Sequence, residues 1–254
     1  MLDLPSDVEF SGTCEYFSTE NFNLKYNRNK NLSIIHQNIR SFAKNFDVFS
    51  IFLKNIVTNW DVIVFTETWF NEGTSALLPG YKGFHTYRDL RRGGGVSIYV
   101  REDNNCFINS EWSLINSYIE LVSVTLVLNN VKINIMALYR PPDGDVQQFL
   151  DFLDNKILSK ISPNNNSIML GDFNIDLLKS SNIERDFVNL CRSCCFLPYV
   201  NKPTRVMENN NGSLIDHIWS NRTVGIEAGV FLSDITDHYS IFCFIDIKNP
   251  APTY

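Results

Sequence analysis

The stretch "SIMLGDFNIDLL", residues 167–178, decides the fold. It runs apolar up to Gly171, which is typical of a buried strand, and then places Asp172, Phe173 and Asn174 in a row. Because side chains alternate along a strand, we expect Asp172 and Asn174 to face one side while Phe173 anchors the other. Two polar groups aimed in one direction from the end of a buried strand need a chemical reason.

The rest of the chain alternates between strand and helix patterns. Residues 32–39 and 61–68 are strand-like, and residues 46–57 between them carry apolar residues at helical spacing, which predicts a β-α-β unit. Residues 119–128 and 131–139 are separated only by Asn129 and Asn130, a two-residue hairpin turn. Further strands are predicted at 93–100, 167–172, 214–219, 224–231 and 239–246, and helices at 145–160 and 183–196. These elements predict one α/β domain with mixed sheets over residues 31–247.

The two ends of the chain are expected to lie outside that domain. Residues 1–30 show neither helical nor strand periodicity, which predicts a flexible N-terminal leader. The Pro-rich residues 248–254 predict the start of a linker. No apolar run reaches the roughly 18 to 20 residues of a membrane span, and residues 1–30 lack a signal-peptide pattern. We therefore expect an intracellular protein without a membrane partner, with its six cysteines reduced.

Composition limits how this protein could bind nucleic acid. With 22 Lys and Arg against 28 Asp and Glu, its formal charge of −6 argues against binding by broad electrostatic attraction alone. The segment "RDLRRGGG", residues 88–95, could grip a phosphate backbone through local charge, or could be an ordinary solvated loop. If the protein binds phosphates, cations must help.

Polar residues stand at the ends of several predicted strands. Each one alone has an ordinary structural explanation, but carboxylates at the ends of several buried strands cost desolvation energy unless a cation or a donor meets them. Glu67 and Asn38 suit a hard-oxygen Mg²⁺ site. An Asp-His pair supplies the remaining need of phosphodiester hydrolysis, because the carboxylate fixes the imidazole tautomer and favours its charged form.

Six motifs in a fixed order then indicate a family. "QNIRS", "FTETW", "LYRPP", "LGDFN", "SLIDHIW" and "TDHYSI" resemble the endonuclease/exonuclease/phosphatase superfamily over about residues 32–246, most closely the apurinic-like endonuclease domain of non-LTR (LINE-type) retrotransposons. The resemblance implies a DNase I-like, four-layer α/β sandwich. Its two packed sheets would be mixed, mostly antiparallel and flanked by helices, with a cleft at one edge.

The resemblance also implies roles for the polar strand ends. Glu67 would be the principal Mg²⁺ ligand with Asn38 beside it, and Mn²⁺ could substitute for Mg²⁺. Asp172 would activate or orient the attacking water with help from Asn174, so the two groups at the end of "LGDFN" would hold a water for in-line attack on a phosphate. The other catalytic residues implied are His238, which contacts the scissile phosphate, Asp216, which orients His238, Tyr139, whose hydroxyl faces the phosphate, and Asp237, close to the metal or water.

Double-stranded DNA is the expected substrate. Thr204 matches a family Thr that precedes a hairpin crossing the DNA surface, so residues 205–213 would read target shape, or else form a floppy surface turn. The residues expected to contact DNA are Arg40, Arg91, Arg92, Thr204, Arg205 and Asn210.

The sequence therefore favours a metal-dependent nicking endonuclease. It would leave a 3′-hydroxyl primer for target-primed reverse transcription, with a reverse transcriptase domain in the same polyprotein and the element RNA as partners, in the nucleus and cytoplasm. Two alternatives stay open. One is an abasic-site repair endonuclease, or a phosphatase or phosphodiesterase of the same superfamily; the other is a DNA-binding module that has lost nuclease activity.

Overall fold

Two seven-stranded sheets pack face to face in the computed structural model, which describes residues 8–26, 32–74, 76–89, 92–206, 212–222 and 225–247. In spatial order the first sheet contains β1 (Cys14–Phe17), β13 (Ile226–Phe231), β14 (Ser240–Ile245), β2 (Leu32–Asn38), β3 (Val62–Thr66), β5 (Val96–Arg101) and β4 (Tyr81–Thr86). The second contains β11 (Leu197–Pro198), β12 (Asp216–Ser220), β10 (Asn166–Asp172), β9 (Val131–Tyr139), β8 (Glu120–Leu128) and β6 (Asn105–Ile108), with β7 (Leu114–Ile115) also paired to β8.

Three strand pairs are parallel, namely β1 with β13, β2 with β3 and β9 with β10. The other pairs are antiparallel. The predicted β-α-β unit is confirmed by β2 and β3, and the predicted hairpin by β8 and β9. Asn129 and Asn130 form its turn with φ of 50° and 62°, the left-handed values that a tight two-residue hairpin requires.

Helices cover the outer faces of both sheets. Alternation along β2 shows the arrangement, because Ile34 packs between the sheets while Ile35 packs toward the helices. The helices are α1 (Thr19–Lys25) and α2 (Phe42–Lys54) on the first sheet, and α3 (Val146–Phe152) and α4 (Asn182–Ser193) on the second. A π-helical turn (Leu153–Ile157) and a 3-10 turn (Leu158–Lys160) continue α3, and a separate 3-10 turn spans Ser110–Trp112. The implied four-layer sandwich is confirmed.

Several short edge strands were absent from the sequence-based expectation. β4 has no fully buried residue, and β6 is mostly exposed, so neither carries the apolar alternation that identifies a half-buried strand. β7 and β11 have two residues each, which is too short for any periodicity. Such strands form because a neighbouring strand offers backbone partners, and that information lies elsewhere in the sequence.

The state of the cysteines and the length of the helices bear on disulfide bonds and on membrane spanning. All six cysteines are free thiols, with Cys191 buried on α4 and Cys195 exposed just beyond it. Within the described ranges, no helix combines the length and the apolar character needed to cross a membrane.

The segment Cys14–Lys25 differs from the flexible leader expected for residues 1–30. Strand β1 pairs with β13, and Phe17 and Phe22 are buried in an aromatic cluster under α1 and α2. In this part of the leader the expectation is wrong, because four strand residues and about two helical turns are too short to show periodicity. Residues 1–7, 27–31 and the expected linker, 248–254, lie outside the described residues.

Replacement of Phe22 by Ala tests whether this segment belongs to the folded domain. The Phe22 ring is fully buried, with the rings of Phe231 and Tyr26 at centroid distances of 4.7 and 4.9 Å. We expect the free energy of unfolding in urea to fall by about 3–5 kcal/mol. The control Leu24→Ala, on the same helix but 79% exposed, should change it by less than about 0.5 kcal/mol. Equal effects from both substitutions would mean that α1 is only loosely attached.

Candidate active site

The polar strand ends of both sheets meet at one edge of the sandwich. Asn38 ends β2, Glu67 follows β3, and Asp172 ends β10 in the second sheet. Asn38 Nδ2 donates to Glu67 Oε1 at 2.9 Å and to Asp172 Oδ2 at 2.8 Å. One amide group therefore ties the predicted metal ligand to the predicted water-activating carboxylate.

The orientation of the Asn38 amide follows from the two carboxylates that flank it. A donor between two carboxylates is stabilised, so Nδ2 faces them, and Oδ1 accepts the Arg40 backbone N–H at 3.3 Å. A cation held by Asn38 would need its oxygen, which a rotation of the amide by about 180° supplies. The role of Asn38 as a metal ligand stays a prediction.

A buried carboxylate orients the histidine. Asp216 is the first residue of β12, and its Oδ2 lies 2.9 Å from Nδ1 of His238, which is only 2% exposed. The Thr204 hydroxyl donates to the same Oδ2 at 2.7 Å and accepts the Asp216 backbone N–H at 3.0 Å. Thr204 is fully buried, so its expected contact with DNA is wrong. Its hydroxyl holds Asp216 in place instead.

The pair of Asp216 and His238 carries opposite charges. Burial opposes the charge of His238, but the neighbouring Asp216 carboxylate outweighs burial and raises the pKa of His238 to about 9. Burial likewise opposes the charge of Asp216, but the charge and hydrogen bond of His238 lower its pKa overall. His238 is therefore an imidazolium at neutral pH, as a group that stabilises phosphate charge should be.

Asp172 behaves in the opposite way. Burial raises the pKa of Asp172 to about 7, and the negative charge of Asp216 adds to the effect. A carboxylate with a pKa near neutrality can take a proton from water at the pH where it works. Ligand atoms of Asp172, Asp216 and His238 lie within 4.8 Å of one another, the only such group found in the described part of the chain.

The turn after Asp172 departs from the expected strand geometry. Asn174 has φ of 47°, so it does not continue the alternation, and its Nδ2 donates to the Arg140 carbonyl at 2.8 Å. Its backbone N–H donates to Asp172 Oδ1 at 3.0 Å. The Arg140 guanidinium binds the carbonyls of Phe173 and Asn174 and is itself buried. Arg140 thus braces the turn, a role that only its position directly after the "LY" of a buried strand could have indicated.

Tyr139 and Asp237 complete the predicted catalytic set. Tyr139 lies opposite Asp172 in the β9–β10 register, and burial, followed by the charge of Glu67, raises its pKa, so its hydroxyl keeps its proton. Asp237 is paired with Arg40 Nη1 at 2.7 Å and Arg205 Nε at 3.0 Å. Burial opposes its charge, but the Arg40 hydrogen bond lowers its pKa overall. Asp237 therefore joins two arginines rather than the buried group.

Two further residues at this edge were missed from sequence. His36 is fully buried, its Nε2 lies 3.0 Å from Thr66 Oγ1, and burial lowers its pKa to about 4. Gln37 Nε2 donates to the carbonyls of Asn38 and His238 and so joins β2 to the start of β14. Only polar residues inside an otherwise buried strand signalled these contacts.

Cations line a cavity on one side of the acidic centre, the group formed by Glu67, Asp172 and Asp216. A cavity of about 450 Å³ beside it is lined by Arg40, Lys44, Trp69 and Arg92, among others, with the Arg92 guanidinium 5.0 Å from the centre of the Trp69 ring. The base of the predicted DNA-reading segment is formed by pairing of residues 205 and 213, while its tip, 207–211, lies outside the described residues. The expected DNA contacts Arg91 and Asn210 also lie outside them.

The donor set fits a hard divalent cation. Glu67 and Asp172 supply carboxylate oxygens on either side of Asn38, and oxygen ligands are those that Mg²⁺ prefers. Asp216 Oδ1 is buried with no hydrogen-bond partner, and the raised pKa of Asp172 reflects burial beside other acidic groups. A cation at this edge would relieve that excess of negative charge.

Comparisons with known proteins bear on the family and the fold. A model described as "Endonuclease/Exonuclease/phosphatase family" matches residues 22–238, which is most of the chain. The fold is similar to the endonuclease domain of TRAS1, a telomere-specific non-LTR retrotransposon, with a TM-score of 0.65 and 15% identity over 85% of this chain and 98% of that one.

Two other solved structures are similar to the same 85% of this chain, at 15% identity and over 100% of their own lengths. They are an AP endonuclease from Archaeoglobus fulgidus, with a TM-score of 0.64, and a variant of the 3′ phosphatase NExo from Neisseria bound to a product DNA hairpin, with a TM-score of 0.63. No curated protein is significantly similar in sequence. At these identities the structures establish the fold.

The four histidines should separate into one charged and three neutral rings. Burial lowers the pKa of His36, His85 and His217 to about 4 each, against about 9 for His238. Two-bond ¹⁵N NMR spectra at about pH 6.5, the ordinary pKa of histidine, should show one imidazolium and three neutral rings. In Asp216→Asn we expect the charged ring to be lost, because burial then acts without its main opposing carboxylate. Four rings that titrate together near that pH would contradict the geometry.

The same shifts fix the sign of the pH dependence of stability. His238 has a raised pKa, so its stabilising contribution is present below pH 6.5 and is lost as the pH rises through about 9. The other three contribute stability above pH 6.5 and lose it as the pH falls toward 4.

Proposed function

The chain belongs to the endonuclease/exonuclease/phosphatase family, and from this premise we propose that it is a Mg²⁺-dependent endonuclease that nicks double-stranded DNA. The observation that carries the proposal is the Asn38 amide that joins Glu67 to Asp172, beside the pair of His238 and Asp216. This arrangement supplies an ion site, a base and a fixed positive charge within one edge of the fold. Phosphodiester hydrolysis needs all three.

Glu67 and Asn38 would hold the divalent ion. When bound, the ion supplies positive charge against the negative charge that develops on the phosphate. Because the chain is acidic overall, with a formal charge of −6, such a cation favours the approach of an anionic substrate.

Asp172 accepts the proton of the attacking water. Its raised pKa makes it a stronger base than an ordinary aspartate. The Asn174 backbone N–H donates to Oδ1 of Asp172 and so fixes the orientation of the carboxylate. The water oxygen bonds to phosphorus while the bond from phosphorus to the 3′ oxygen breaks. The leaving oxygen takes a proton from solvent, and Asp172 returns to solvent the proton that it accepted. The products are a 3′-hydroxyl and a 5′-phosphate.

His238 and Tyr139 act as donors to the phosphate. Asp216 holds Nδ1 of the imidazolium, which leaves the Nε2–H for a phosphate oxygen. Tyr139 keeps its proton because its pKa is raised, so its hydroxyl donates to the same group. The positive charge of His238 stabilises the phosphate more strongly as the phosphate gains negative charge in the transition state.

The arginines beside the site, Arg40, Arg92 and Arg205, would contact the phosphates of the DNA backbone. Asp237 bridges Arg40 and Arg205, and Arg92 lies over Trp69. Such contacts position a duplex without reading its sequence. Local positive charge of this kind can act even in a chain that is acidic overall.

We further propose that the nick primes reverse transcription in a non-LTR retrotransposon. The support is the ordered motif set and the fold similarity to the TRAS1 endonuclease domain. A 3′-hydroxyl is the end that a reverse transcriptase can extend. This role implies a reverse transcriptase domain in the same polyprotein, the element RNA as a partner, and access to nuclear DNA.

Supercoiled plasmid tests the nuclease and its site together. Native protein with Mg²⁺ should convert it to the nicked form, and EDTA should abolish the conversion. We expect Glu67→Gln and His238→Gln each to lower the rate by about 100-fold or more, because the first removes the carboxylate that would hold the ion and the second removes the positive charge that faces the phosphate. The control Glu20→Gln, an exposed residue of α1, should stay within twofold. Unchanged nicking by both site variants would contradict the assignment.

The second candidate function is cleavage at abasic sites or of a terminal phosphate. The observation that favours this candidate is the fold similarity to an AP endonuclease and to a 3′ phosphatase. Rates on a plain duplex, an abasic duplex, a 3′-phosphorylated end and an inositol phosphate separate the possibilities. A strong preference for any of the last three would replace our substrate assignment, and DNA binding without any cleavage would indicate a module that has lost its activity.

A further inference from the structure

A fully buried carboxylate, that of Glu120, lies in the sheet opposite the one that carries Glu67. Glu120 begins β8 in the second sheet, and its Oε2 accepts the Gly95 backbone N–H at 2.5 Å. Its Oε1 accepts Arg88 Nε at 2.6 Å, and Glu120 is 0% exposed. A charge at such depth must have its partners fixed, so these contacts define the backbone of the glycine segment, residues 94–95.

The glycine segment in turn holds the backbone that follows Glu67. The Thr68 N–H donates to the Gly95 carbonyl at 3.2 Å, and the Trp69 N–H donates to the Gly94 carbonyl at 2.9 Å. The Trp69 indole Nε1 lies 3.4 Å from Glu67 Oε2. Glu120 is therefore linked to Glu67 by these hydrogen bonds and the short stretches of backbone between them.

Glu67 needs such support because its backbone conformation is unfavourable. Its φ is 53° and that of Trp69 is 56°, both in the left-handed region that L-residues other than glycine rarely adopt. On its other side, the Ser41 N–H donates to the Glu67 carbonyl at 2.8 Å. The glycine segment supplies the second half of this restraint.

Close packing makes the contact specific to glycine. Gly94 has φ of 68°, and a Cβ there would overlap the Glu120 carboxylate oxygens. Gly95 has φ of 90°, and a Cβ there would overlap the Thr68 hydroxyl. The two glycines thus allow Glu120 to approach the backbone that carries Glu67.

We propose that Glu120, together with Arg88, is a positioning residue that sets the geometry of Glu67 and thereby the affinity of the site for a divalent cation. The inference rests on Glu67 being a metal ligand, as in the proposed function. Residues behind a metal ligand act in this way because a ligand held in the wrong orientation loses binding energy, commonly by about 10- to 100-fold in affinity.

The experiment measures Mg²⁺ binding itself, by calorimetry and by the melting temperature as a function of Mg²⁺ concentration. Glu120→Gln keeps the size of the side chain but removes its charge and places an amide donor within reach of Arg88. We expect the Mg²⁺ concentration at half-saturation to rise by about 10-fold or more. In a nicking assay, the Mg²⁺ concentration for half-maximal rate should rise by the same factor, while the rate at saturating Mg²⁺ stays within threefold.

Asp61 offers a matched control. It lies next to the start of β3, the strand whose other end is followed by Glu67. Asp61, just before β3, is also buried, accepts the Ser33 backbone N–H at 2.9 Å and pairs with Arg101 at 3.0 Å. Asp61→Asn should lower the melting temperature as Glu120→Gln does, but should leave the Mg²⁺ half-saturation within twofold of the native value. Equal Mg²⁺ affinities in the two variants would overturn the proposal.

A second variant tests the proposal if Glu120→Gln fails to fold. Arg88→Met removes the charged partner of Glu120 at a partly exposed position and should raise the Mg²⁺ half-saturation in the same direction. If native protein binds Mg²⁺ but nicks nothing, the proposed function fails while the binding comparison still tests Glu120. If native protein shows no saturable Mg²⁺ binding, the positioning role is overturned.

Discussion

The bond between Asp216 and His238 is the constraint on which the site depends. Asp216 begins a strand of the second sheet and His238 lies just before a strand of the first, so one ion pair closes the edge of the sandwich. Both groups are buried, and breaking such a pair leaves a charge without a partner, which costs about 3–5 kcal/mol. Together with the hydrogen bond from Asn38 to Asp172, this contact joins the two sheets at this edge, and it also keeps the His238 imidazole charged.

Charge balance explains why a separate cation belongs to the chemistry. Arg40 and Arg205 are both held by Asp237, which partly neutralises them. His238 is balanced by Asp216 in the same way. The remaining carboxylates, Glu67 and Asp172, meet the neutral amide of Asn38. The positive charge that Arg40, Arg205 and His238 offer to an anionic substrate is therefore partly neutralised by these carboxylates.

Prediction from sequence succeeded where a strand carried its own signal. The buried strands and their polar last residues could be identified from composition and order, and the motif set pointed to the family and its four-layer fold. It failed where position depended on a distant partner. Thr204 was expected at the DNA surface, yet its hydroxyl is needed by Asp216, twelve residues away on a neighbouring segment. Arg140, Gln37 and Glu120 are polar residues at or near buried strands, but the sequence does not name their partners, which lie on other segments of the chain.

Left-handed backbone is concentrated at the site. Of the eight described residues other than glycine with positive φ, five flank the ends of β2, β3 and β10: Arg40, Ser41, Glu67, Trp69 and Asn174. Each such residue costs about 1 kcal/mol or more relative to glycine, so a more stable backbone is available in principle. Glycine at Glu67 would relieve the strain and remove the carboxylate at once. Selection for thermal stability alone would therefore drive this domain toward a robust but inert sandwich, and a library screened for heat tolerance would need a parallel screen for activity.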